Sequence, residues 1–562
     1  MGPRVGCGAG PLIPPHAELE LGLAHHRAGR WQEAMEAYRR VLEAQPNDPD
    51  ALHLLGVLAV QTGSRELGTE LIGRAISLDA DVALYHQNLH WARAGADAPG
   101  PEPVLECRLS GAAPRRIFVP WSLPGYRSCN GEHPLLTPLV ERAIPGLEFV
   151  GPEPAPVSEN ALRRASSVLS GLSVELTSRF HAHPVVRPED VQAFVASRDL
   201  HLLLATPPET DLVFHHTTPL GFGERPWILH IESVTPLFLP FLRHGQVGTT
   251  SLRHTPVFWL VRSLLEHPSC RAIFTHLEGT SRDLARIFDS AVISAKLRYV
   301  ALGARLPPDA PDRIDAALER RSGTSHVEVL FTNSWHQDPM SFFLRGGAEL
   351  LEAFWLARHA GAELRLVLRT ALPDGLGASV LERIRTDESI TVLEHPISDE
   401  ELFERLCRAD VFAVPGAGLH SLSVLRALHC GVVCLASDAP GYEELIEDGV
   451  TGFRVPGRRE RIYSVDPDTG WLRDDYGPMF QVDHTYAAKL AAKLLELWRD
   501  PVGRVRLARC ARDEARRRFA FEPWRRGVEQ VLHEALGTND SADGEVSRLP
   551  SGRARSRAQA SA

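Results

Sequence analysis

The most informative part of this sequence is the segment at residues 409–453, ADVFAVPGAGLHSLSVLRALHCGVVCLASDAPGYEELIEDGVTGF. Two short apolar runs, Val411–Val414 and Val432–Ala436, have the continuous pattern typical of parallel strands that are covered on both faces. Between them, the pattern predicts a helix with Ser421 as its N-cap and Gly431 at its end. Because this helix follows a glycine-bearing loop at the carboxyl end of a strand, its first N–H groups would face a crevice. The segment therefore predicts a site for a nucleotide phosphate.

The same segment resembles the nucleotide-sugar-binding half of glycosyltransferase family 4. That family has a Glu, seven further residues and a second Glu that leads into the helix. Aligned without gaps, LSVLRALHCG lies over the usual LSVLEAMACG, so that Arg426 holds the second Glu position and Gly418 the first. The later stretch APGYEELIEDGVTGFRV keeps the family's glycine, its Glu at Glu444 and its aspartyl-glycine turn. The resemblance implies two Rossmann-like domains in the GT-B arrangement, which is an α/β fold.

Two explanations remain open for the missing pair of acids. In the first, another carboxylate contacts the donor, such as Glu443, Glu444, Asp474 or Asp475. In the second, the domain binds nucleotide poorly and does not catalyse.

Bulk properties set further limits. A chain of 562 residues is too long for one hydrophobic core. Its net charge of −10 argues against a nucleic-acid partner, because neutralising phosphates requires a basic surface. The sequence contains no apolar run long enough for a transmembrane helix, and MGPRVGCGAG lacks the apolar core of a signal peptide. Scattered cysteines, with Cys430 and Cys434 as the one close pair, fit a reduced cytoplasm. Peripheral contact with the inner face of the membrane remains open.

An internal repeat is present near the amino end. Gly22 and Gly56 lie 34 residues apart, as do Gly29 and Gly63, which indicates a repeated helix-turn-helix unit. These units resemble the tetratricopeptide repeat, and an incomplete third unit follows at residues 81–95. Such repeats serve either as a packing scaffold or as a groove for a protein partner, and the sequence leaves both open.

Alternating strands and helices follow the repeats and predict parallel sheets covered on both faces. Residues 458–484 form an insertion to which the sequence assigns no role. The predicted domains are a repeat module, an N-terminal Rossmann-like (acceptor-side) domain, a C-terminal Rossmann-like nucleotide-sugar-binding domain, a crossover helix and a disordered tail, at residues 1–98, 113–305, 306–520, 521–536 and 537–562, respectively.

Cations are the first candidates for donor binding, since the leaving group would be a diphosphate. In the resemblance, FLRGG puts Arg345 at the position of the family's phosphate-binding Lys, and Arg suits a phosphate as well. Arg369, at the end of strand LRLVLR, is a second candidate. The predicted donor site is completed by His420, Ser421 and Ser423 at the helix start and by Glu444. The alternatives are an ordinary helix-face arginine for Arg345, a solvated strand end for Arg369 and a turn-stabilising carboxylate for Glu444.

Candidate catalytic residues follow two strands of the first half. DLVFHHTTP and PWILHIESVTP place His216, His230 and Glu232 near the expected cleft, and the resemblance implies a histidine there that faces the donor sugar. The alternative is a buried structural histidine. Residues Gly131 and Glu132 mark a weaker candidate loop for the donor phosphates. Since the sequence shows no resemblance to the transferase architecture that uses an Asp-x-Asp metal site, we expect a metal-independent reaction without a cofactor, in which the nucleotide-sugar is a substrate.

The resemblance implies a retaining glycosyltransferase that uses a nucleotide-sugar donor and a glycan, lipid-linked or protein acceptor. A non-catalytic scaffold, built from a degenerate transferase and the repeats, is the rival from another class. A repeat-bearing protein O-glycosyltransferase is a third reading, but it requires a second-domain motif that this sequence lacks.

Overall fold

The computed structural model describes most of the chain in segments, which are residues 15–79, 82–94, 114–120, 144, 146–151, 159–196, 206–207, 209–217, 225–238, 242, 245, 251–321, 323–333 and 339–537. It separates into two compact units. The smaller unit contains the amino-terminal helices, and the larger unit contains the two parallel sheets.

The smaller unit is built from helical hairpins. Its helices are α1 Pro15–Arg27, α2 Trp31–Ala44, α3 Pro49–Gln61, α4 Arg65–Leu78 and α5 Ala83–Ala94. A Cβ at Gly22 would come within 2.7 Å of the Tyr38 ring, and one at Gly56 within 2.8 Å of the Ile72 side chain. The glycines therefore let paired helices approach closely, which is why they recur at the same place in each unit. The predicted repeat is confirmed.

The first sheet of the larger unit has the order β2-β1-β3-β4-β5-β6. Its strands are β1 Arg115–Phe118, β2 Leu147–Val150, β3 Leu212–His216, β4 Trp227–His230, β5 Cys270–Thr275 and β6 Leu297–Tyr299. Strands β1, β3, β4, β5 and β6 pair in parallel. The accompanying helices are α6 Glu159–Arg179, α7 Pro188–Ala196, α8 Pro256–Glu266, α9 Glu278–Phe288 and α10 Ala291–Lys296, with 3-10 turns at Thr235–Phe238 and Leu252–His254.

The second sheet has the order β12-β11-β10-β7-β8-β9, and its strands are all parallel. They are β7 Val327–Thr332, β8 Leu364–Arg369, β9 Ile390–Leu393, β10 Val411–Val414, β11 Val433–Ser437 and β12 Gly452–Val455. A separate antiparallel hairpin consists of β13 Tyr463–Val465 and β14 Leu472–Asp474. The helices of this half are α11 Ala310–Arg321, α12 Ser341–Leu344, α13 Gly347–His359, α14 Ala378–Thr386, α15 Asp399–Arg408, α16 Ser421–His429, α17 Tyr442–Leu445, α18 Arg459–Ile462, α19 His484–Arg499 and α20 Pro501–Arg518, with 3-10 turns at Asp374–Leu376 and Gly477–Phe480.

The last helix, α21 at Phe521–Leu536, packs against β4 and β5 of the first sheet. It therefore returns from the second half to the first, as in the GT-B arrangement. Two parallel six-stranded sheets and an amino-terminal helical region confirm the predicted α/β fold class. Among the helices of the described segments, none is both long and apolar enough to span a bilayer.

One local prediction is wrong. Ser421 is the first residue inside α16, and the N-cap is His420, whose side chain makes no capping hydrogen bond to the described residues. Two predicted features lie outside the described residues, namely the loop at Gly131 and Glu132 and the tail at residues 538–562.

Candidate functional site

A cleft of about 1260 Å³ lies between the two halves of the larger unit. Its walls are formed by the ends of strands and the starts of helices from both sheets. Carboxyl ends of parallel strands are the usual place for a ligand in such folds. The cleft is therefore the candidate site.

Arg345 lies in the wall formed by the second half, directly after α12. Its side chain is only 5% exposed. Backbone contacts hold this position, because a Cβ at Gly416 would lie 2.8 Å from the Cα of Arg345. In addition, Gly346 has a φ of +75°, and a Cβ there would come within 2.5 Å of the Pro415 carbonyl oxygen. The two glycines thus let the loop after β10 press against the turn that carries Arg345.

Positive charge is concentrated on this wall. Arg369, the last residue of β8, also lines the cleft, and its Nη1 donates to the Asn333 carbonyl at 2.6 Å. Burial, reinforced by the nearby charge of Arg369, lowers the pKa of Arg345 to about 10, so the guanidinium stays charged at neutral pH. Burial and the charge of Arg345 hold the pKa of His420 well below its usual range, so that this imidazole is neutral.

The start of α16 forms the floor beside these arginines. His420, Ser421, Leu422 and Ser423 all line the cleft. The first main-chain helical bond is donated by Val424 N to His420 O at 3.1 Å, which leaves the preceding N–H groups at the cleft. Together with the arginines, this helix end is suited to an anion.

The two positions where the family carries acids differ from each other in this structure. A Cβ at Gly418 would meet open space, so this position faces the cleft without a side chain. Arg426 Nη1 pairs with Asp399 Oδ1 at 3.1 Å. Neither position supplies a side-chain acceptor for sugar or ribose hydroxyl groups.

The alternative acids are held by internal hydrogen bonds. Glu444 accepts from Glu278 N and Gly279 N, both at 2.7 Å, and so caps α9 of the first half from the second half. Glu443 accepts from Gly441 N at 2.8 Å, and Asp474 accepts from Gly245 N at 3.1 Å. The carboxylate of Glu444 is therefore an interdomain contact as well as a part of the cleft wall.

The histidines of the first half form a buried chain behind the cleft. His216 Nδ1 lies 2.8 Å from His230 Nδ1, and His230 Nε2 lies 3.1 Å from His276 Nδ1. At the other end of the chain, His276 Nε2 lies 3.2 Å from Ser421 Oγ, across the domain boundary. The structure thus places His216 and His230 inside the protein, and it adds His276, which sequence reasoning missed. Its signal was weak, since it is a single histidine one residue beyond β5.

Glu232 is the member of the predicted catalytic group that lines the cleft. Its Oε1 lies 3.6 Å from His276 Nε2, and its side chain is 44% exposed. The surrounding protein raises the pKa of Glu232 from an ordinary value of 4.5 to about 7 by limiting solvation of the carboxylate. A carboxyl group with such a pKa can exchange a proton near neutral pH.

The insertion at residues 458–484 reaches the first half of the unit through its hairpin. Trp471 is 4% exposed and belongs to the hydrophobic core of that half, where its ring lies 6.1 Å from the Phe238 ring. Asp466 Oδ2 accepts from Leu252 N at 3.1 Å and pairs with Arg473. The hairpin therefore joins the two walls, and it lines the cleft with Trp471.

A metal site was not expected from the sequence. Among the described residues, no group of three or more His, Cys, Asp or Glu side chains lies close enough together to hold a metal ion.

Comparisons with known proteins agree in part with the predictions. The family described as "Glycosyl transferases group 1" matches residues 330–463, and the tetratricopeptide repeat matches residues 15–58. A comparison with curated proteins gives no significant match.

Solved structures resemble the chain at low identity. HepE of Anabaena in complex with UDP and glucose is 13% identical over 74% of this chain and 99% of its own, with a TM-score of 0.42. A glycosyltransferase from Rickettsia africae is 10% identical over 76% and 100%, with a TM-score of 0.44. Sucrose-phosphate synthase from Thermosynechococcus elongatus is 14% identical over 70% and 85%, with a TM-score of 0.40.

The match to the glycosyl transferases group 1 family thus lies in the second half of the larger unit, and the match to the tetratricopeptide repeat lies in the smaller unit.

Proposed function

We propose that the protein is a retaining glycosyltransferase similar to family 4. It transfers a sugar from a nucleotide-sugar donor to a glycan, lipid-linked or protein acceptor. We place it in the cytoplasm, with the repeats as the contact for a protein partner.

One observation carries this proposal, namely the buried Arg345 held in the cleft wall by Gly346 and Gly416. Placing a guanidinium in a nearly solvent-free position is costly, and that cost is offset when an anion binds. The adjacent end of α16 and Arg369 add to the positive potential. A diphosphate leaving group carries the charge that such a wall would stabilise.

The two walls have different roles in the proposed reaction: one stabilises the leaving diphosphate, and the other accepts the proton of the acceptor hydroxyl. When the bond between the anomeric carbon and the diphosphate breaks, negative charge grows beside Arg345 and Arg369. The acceptor hydroxyl adds to the anomeric carbon and loses its proton, and Glu232 is the cleft carboxylate whose pKa suits it to take that proton. His276 positions Glu232, whereas His230 and His216 lie further back and hold His276.

The test is a thermal-shift screen of nucleotide-sugars, followed by measurement of donor turnover. A donor that binds the folded state raises its melting temperature by mass action. For that donor, Arg345→Ala should lower kcat/KM by about 10²- to 10³-fold, the usual cost of removing one preorganised charge contact. Arg358→Ala is the matched control, because Arg358 pairs with Asp387 on the outside of α13. Equal turnover in both variants would contradict the proposal.

The non-catalytic scaffold has a specific observation in its favour. Gly418 and Arg426 stand where the family has its two acids, and the Glu444 carboxylate already bridges the halves. A protein that binds donors without turning any of them over, yet binds a partner through its repeats, would support the scaffold.

A further inference from the structure

An arginine at the start of the insertion is buried beside the loop that follows β10. Arg458 Nε donates to the Pro415 carbonyl oxygen at 3.2 Å. Its Nη2 lies 2.8 Å from Glu349 Oε1, and both side chains of this ion pair are completely buried. The guanidinium carbon lies 4.1 Å from the centre of the Tyr486 ring. Arg458 therefore contacts three parts of the second half, which are this loop, α13 and α19.

The main chain of Arg458 is held by other contacts. Asp438, the residue after β11, accepts hydrogen bonds from the main-chain N–H groups of residues 457–459, at 3.1, 2.8 and 3.0 Å. These bonds attach the start of the insertion to the carboxyl end of a central strand of the sheet. The guanidinium therefore extends towards Pro415 from an anchored point of the main chain.

The Pro415 carbonyl is a point where the loop meets the turn that carries Arg345. A Cβ at Gly346 would come within 2.5 Å of this carbonyl oxygen, so the turn lies against the same atom to which Arg458 donates. A buried carbonyl group requires a hydrogen-bond donor, and a charged donor makes a strong bond. The bond from Arg458 thus acts at the contact between the loop and the turn.

The next carbonyl groups of the loop accept hydrogen bonds from tyrosines. Tyr463 Oη, in β13 of the insertion, donates to the Ala417 carbonyl oxygen. Tyr442 Oη, in α17, donates to the Gly418 carbonyl oxygen at 3.1 Å. The loop also donates to the turn, because Ala417 N lies 2.8 Å from the Leu344 carbonyl oxygen. Side chains from the insertion and from α17 thus hold the loop while its main chain contacts the turn.

We propose that Arg458 is a positioning residue for anion binding, which holds the loop after β10 so that Arg345 stays in the cleft wall. This inference rests on the proposed function, because the anion is the diphosphate of the donor. A fully buried ion pair adds little net stability, since the cost of desolvating two charges opposes their attraction. Hydrogen bonds of fixed direction, in contrast, determine where the loop lies. The insertion thus contributes to the second half through Arg458 as well as to the first half through its hairpin.

The test replaces Arg458 by lysine. Lysine keeps a positive charge for Glu349, but its single ammonium group lacks the planar fork with which the guanidinium contacts Glu349 and Pro415 together. Arg504→Lys is the matched control. Arg504 is also buried, and its Nε lies 3.3 Å from Oδ1 of Asp410, the residue before the other end of β10. Both variants therefore alter a buried arginine pair, but only Arg458→Lys alters one at the loop.

Hydrogen–deuterium exchange of the ligand-free protein measures the loop itself. In Arg458→Lys, peptides that cover residues 344–347 and 415–418 should exchange about tenfold faster than in the wild type, because a hydrogen bond from a charged group is lost. In Arg504→Lys, these peptides should exchange at the wild-type rate. The proposal is overturned if the rate is unchanged in folded Arg458→Lys, or if both variants raise it equally.

A second variant keeps the test valid if Arg458→Lys does not fold. Replacing both partners, as Arg458→Met with Glu349→Leu, substitutes apolar side chains for the buried pair, a change that proteins often tolerate. This double variant also lacks the donor to Pro415, so the same two peptides should exchange faster. Circular dichroism verifies that each variant is folded, and wild-type exchange in the folded double variant would overturn the proposal.

Binding of inorganic diphosphate, measured by isothermal titration calorimetry, tests the link to Arg345. Arg458→Lys should raise Kd about tenfold, whereas Arg504→Lys should leave it unchanged. In the Arg345→Ala background, Arg458→Lys should raise Kd no further, because it acts through Arg345. A merely structural defect would reduce the number of binding sites without changing Kd. With a donor from the screen, such a defect would likewise lower kcat, whereas a positioning role predicts a higher KM.

Two outcomes separate the positioning role from the proposed function. Wild-type protein that binds neither diphosphate nor a nucleotide-sugar would contradict the proposed function itself. Wild-type protein that binds diphosphate, with an unchanged Kd in folded Arg458→Lys, would overturn the positioning role alone. An equal rise in Kd with and without Arg345 would also overturn it.

Discussion

The two walls of the cleft are built in different ways. The wall from the second half is made by neighbouring parts of its own sheet, and glycines 346 and 416 set the position of Arg345 through backbone contacts. The wall from the first half needs help from distant residues, because His276 meets Ser421 and the hairpin inserts Trp471. The side that we propose to bind the anion is therefore built within one half of the larger unit, whereas the side that holds Glu232 is assembled from both halves.

Because the two walls are built differently, we expect substitutions in each wall to affect different properties of the protein. A change near Arg345 should act on donor affinity, because it alters a contact surface directly. A change in the hairpin should act on the relation between the halves, because Asp466 and Trp471 bridge them. The two kinds of change can be separated by measuring stability and donor affinity in the same variant.

The largest effect is expected for Trp471→Ala. Removing a buried indole from the core of the first half should lower the free energy of unfolding by about 3 kcal/mol or more. Urea unfolding followed by circular dichroism measures this loss. The matched control is Val465→Ala in the same hairpin, where a side chain that is 64% exposed should change stability by less than about 0.5 kcal/mol. Similar losses in both variants would show that the hairpin does not anchor the first half.

Sequence reasoning was most successful where the pattern was local. The strand Val411–Val414 was predicted with the bounds that the structure has, because a continuous apolar run bounded by Pro415 identifies a buried parallel strand. The hairpin was missed, since it is anchored by Trp471, which packs near Phe238, 233 residues earlier in the chain. His276 was missed for the same reason, because its role depends on His230 and Ser421.

A second variant addresses the wall that carries Arg345. Gly416→Ala would place a methyl group 2.8 Å from the Cα of Arg345, and the required backbone shift should cost about 1 to 3 kcal/mol of stability. It should also weaken donor binding, because Arg345 moves with the backbone. Gly418→Ala is the control, since a Cβ there meets open space and should leave both quantities nearly unchanged. Isothermal titration calorimetry with the donor found in the screen measures affinity. Equal affinities in Gly416→Ala and Gly418→Ala would contradict the proposal that Gly416 positions Arg345 for donor binding.

For the candidate site residues, positions in the fold could be predicted from short sequence patterns, whereas contacts between the two halves could not. The positions of these donor candidates in the cleft could be predicted from short patterns: a gapless motif for the α16 residues, the FLRGG stretch for Arg345 and the end of strand LRLVLR for Arg369. Glu444 was placed at the correct turn, but its capping of α9 could not be predicted, since Glu278 and Gly279 belong to the other half. Whether these residues bind a donor remains a prediction.

A third variant tests the first wall through its pH dependence. Because the pKa of Glu232 is raised from 4.5 to about 7, the folded protein holds this proton more tightly than the unfolded chain does. This contribution to stability is complete below about pH 4.5 and is lost as the pH rises through about 7. Glu232→Gln should remove this loss of stability at rising pH. In the wild type, turnover should rise near pH 7 as the Glu232 carboxylate forms, and this rise should be absent from the variant.

The measurements are urea midpoints and initial rates from pH 5 to 8, with Glu400→Gln as a cleft-lining control whose profiles should follow those of the wild type. If the urea midpoints and initial rates of Glu232→Gln change with pH as those of the wild type do, the pH dependence belongs to another group.

The smallest effect is expected at the altered family position, Arg426. Its ion pair with Asp399 is 22% and 82% exposed at the two side chains, and solvent-exposed pairs contribute about 0 to 1 kcal/mol. Arg426→Ala should therefore change the free energy of unfolding by less than about 1 kcal/mol and leave donor affinity unchanged. A clear loss of affinity would mean that the donor meets Arg426 directly. The surface that we propose to bind the anion would then extend from Arg345 along α16 as far as Arg426.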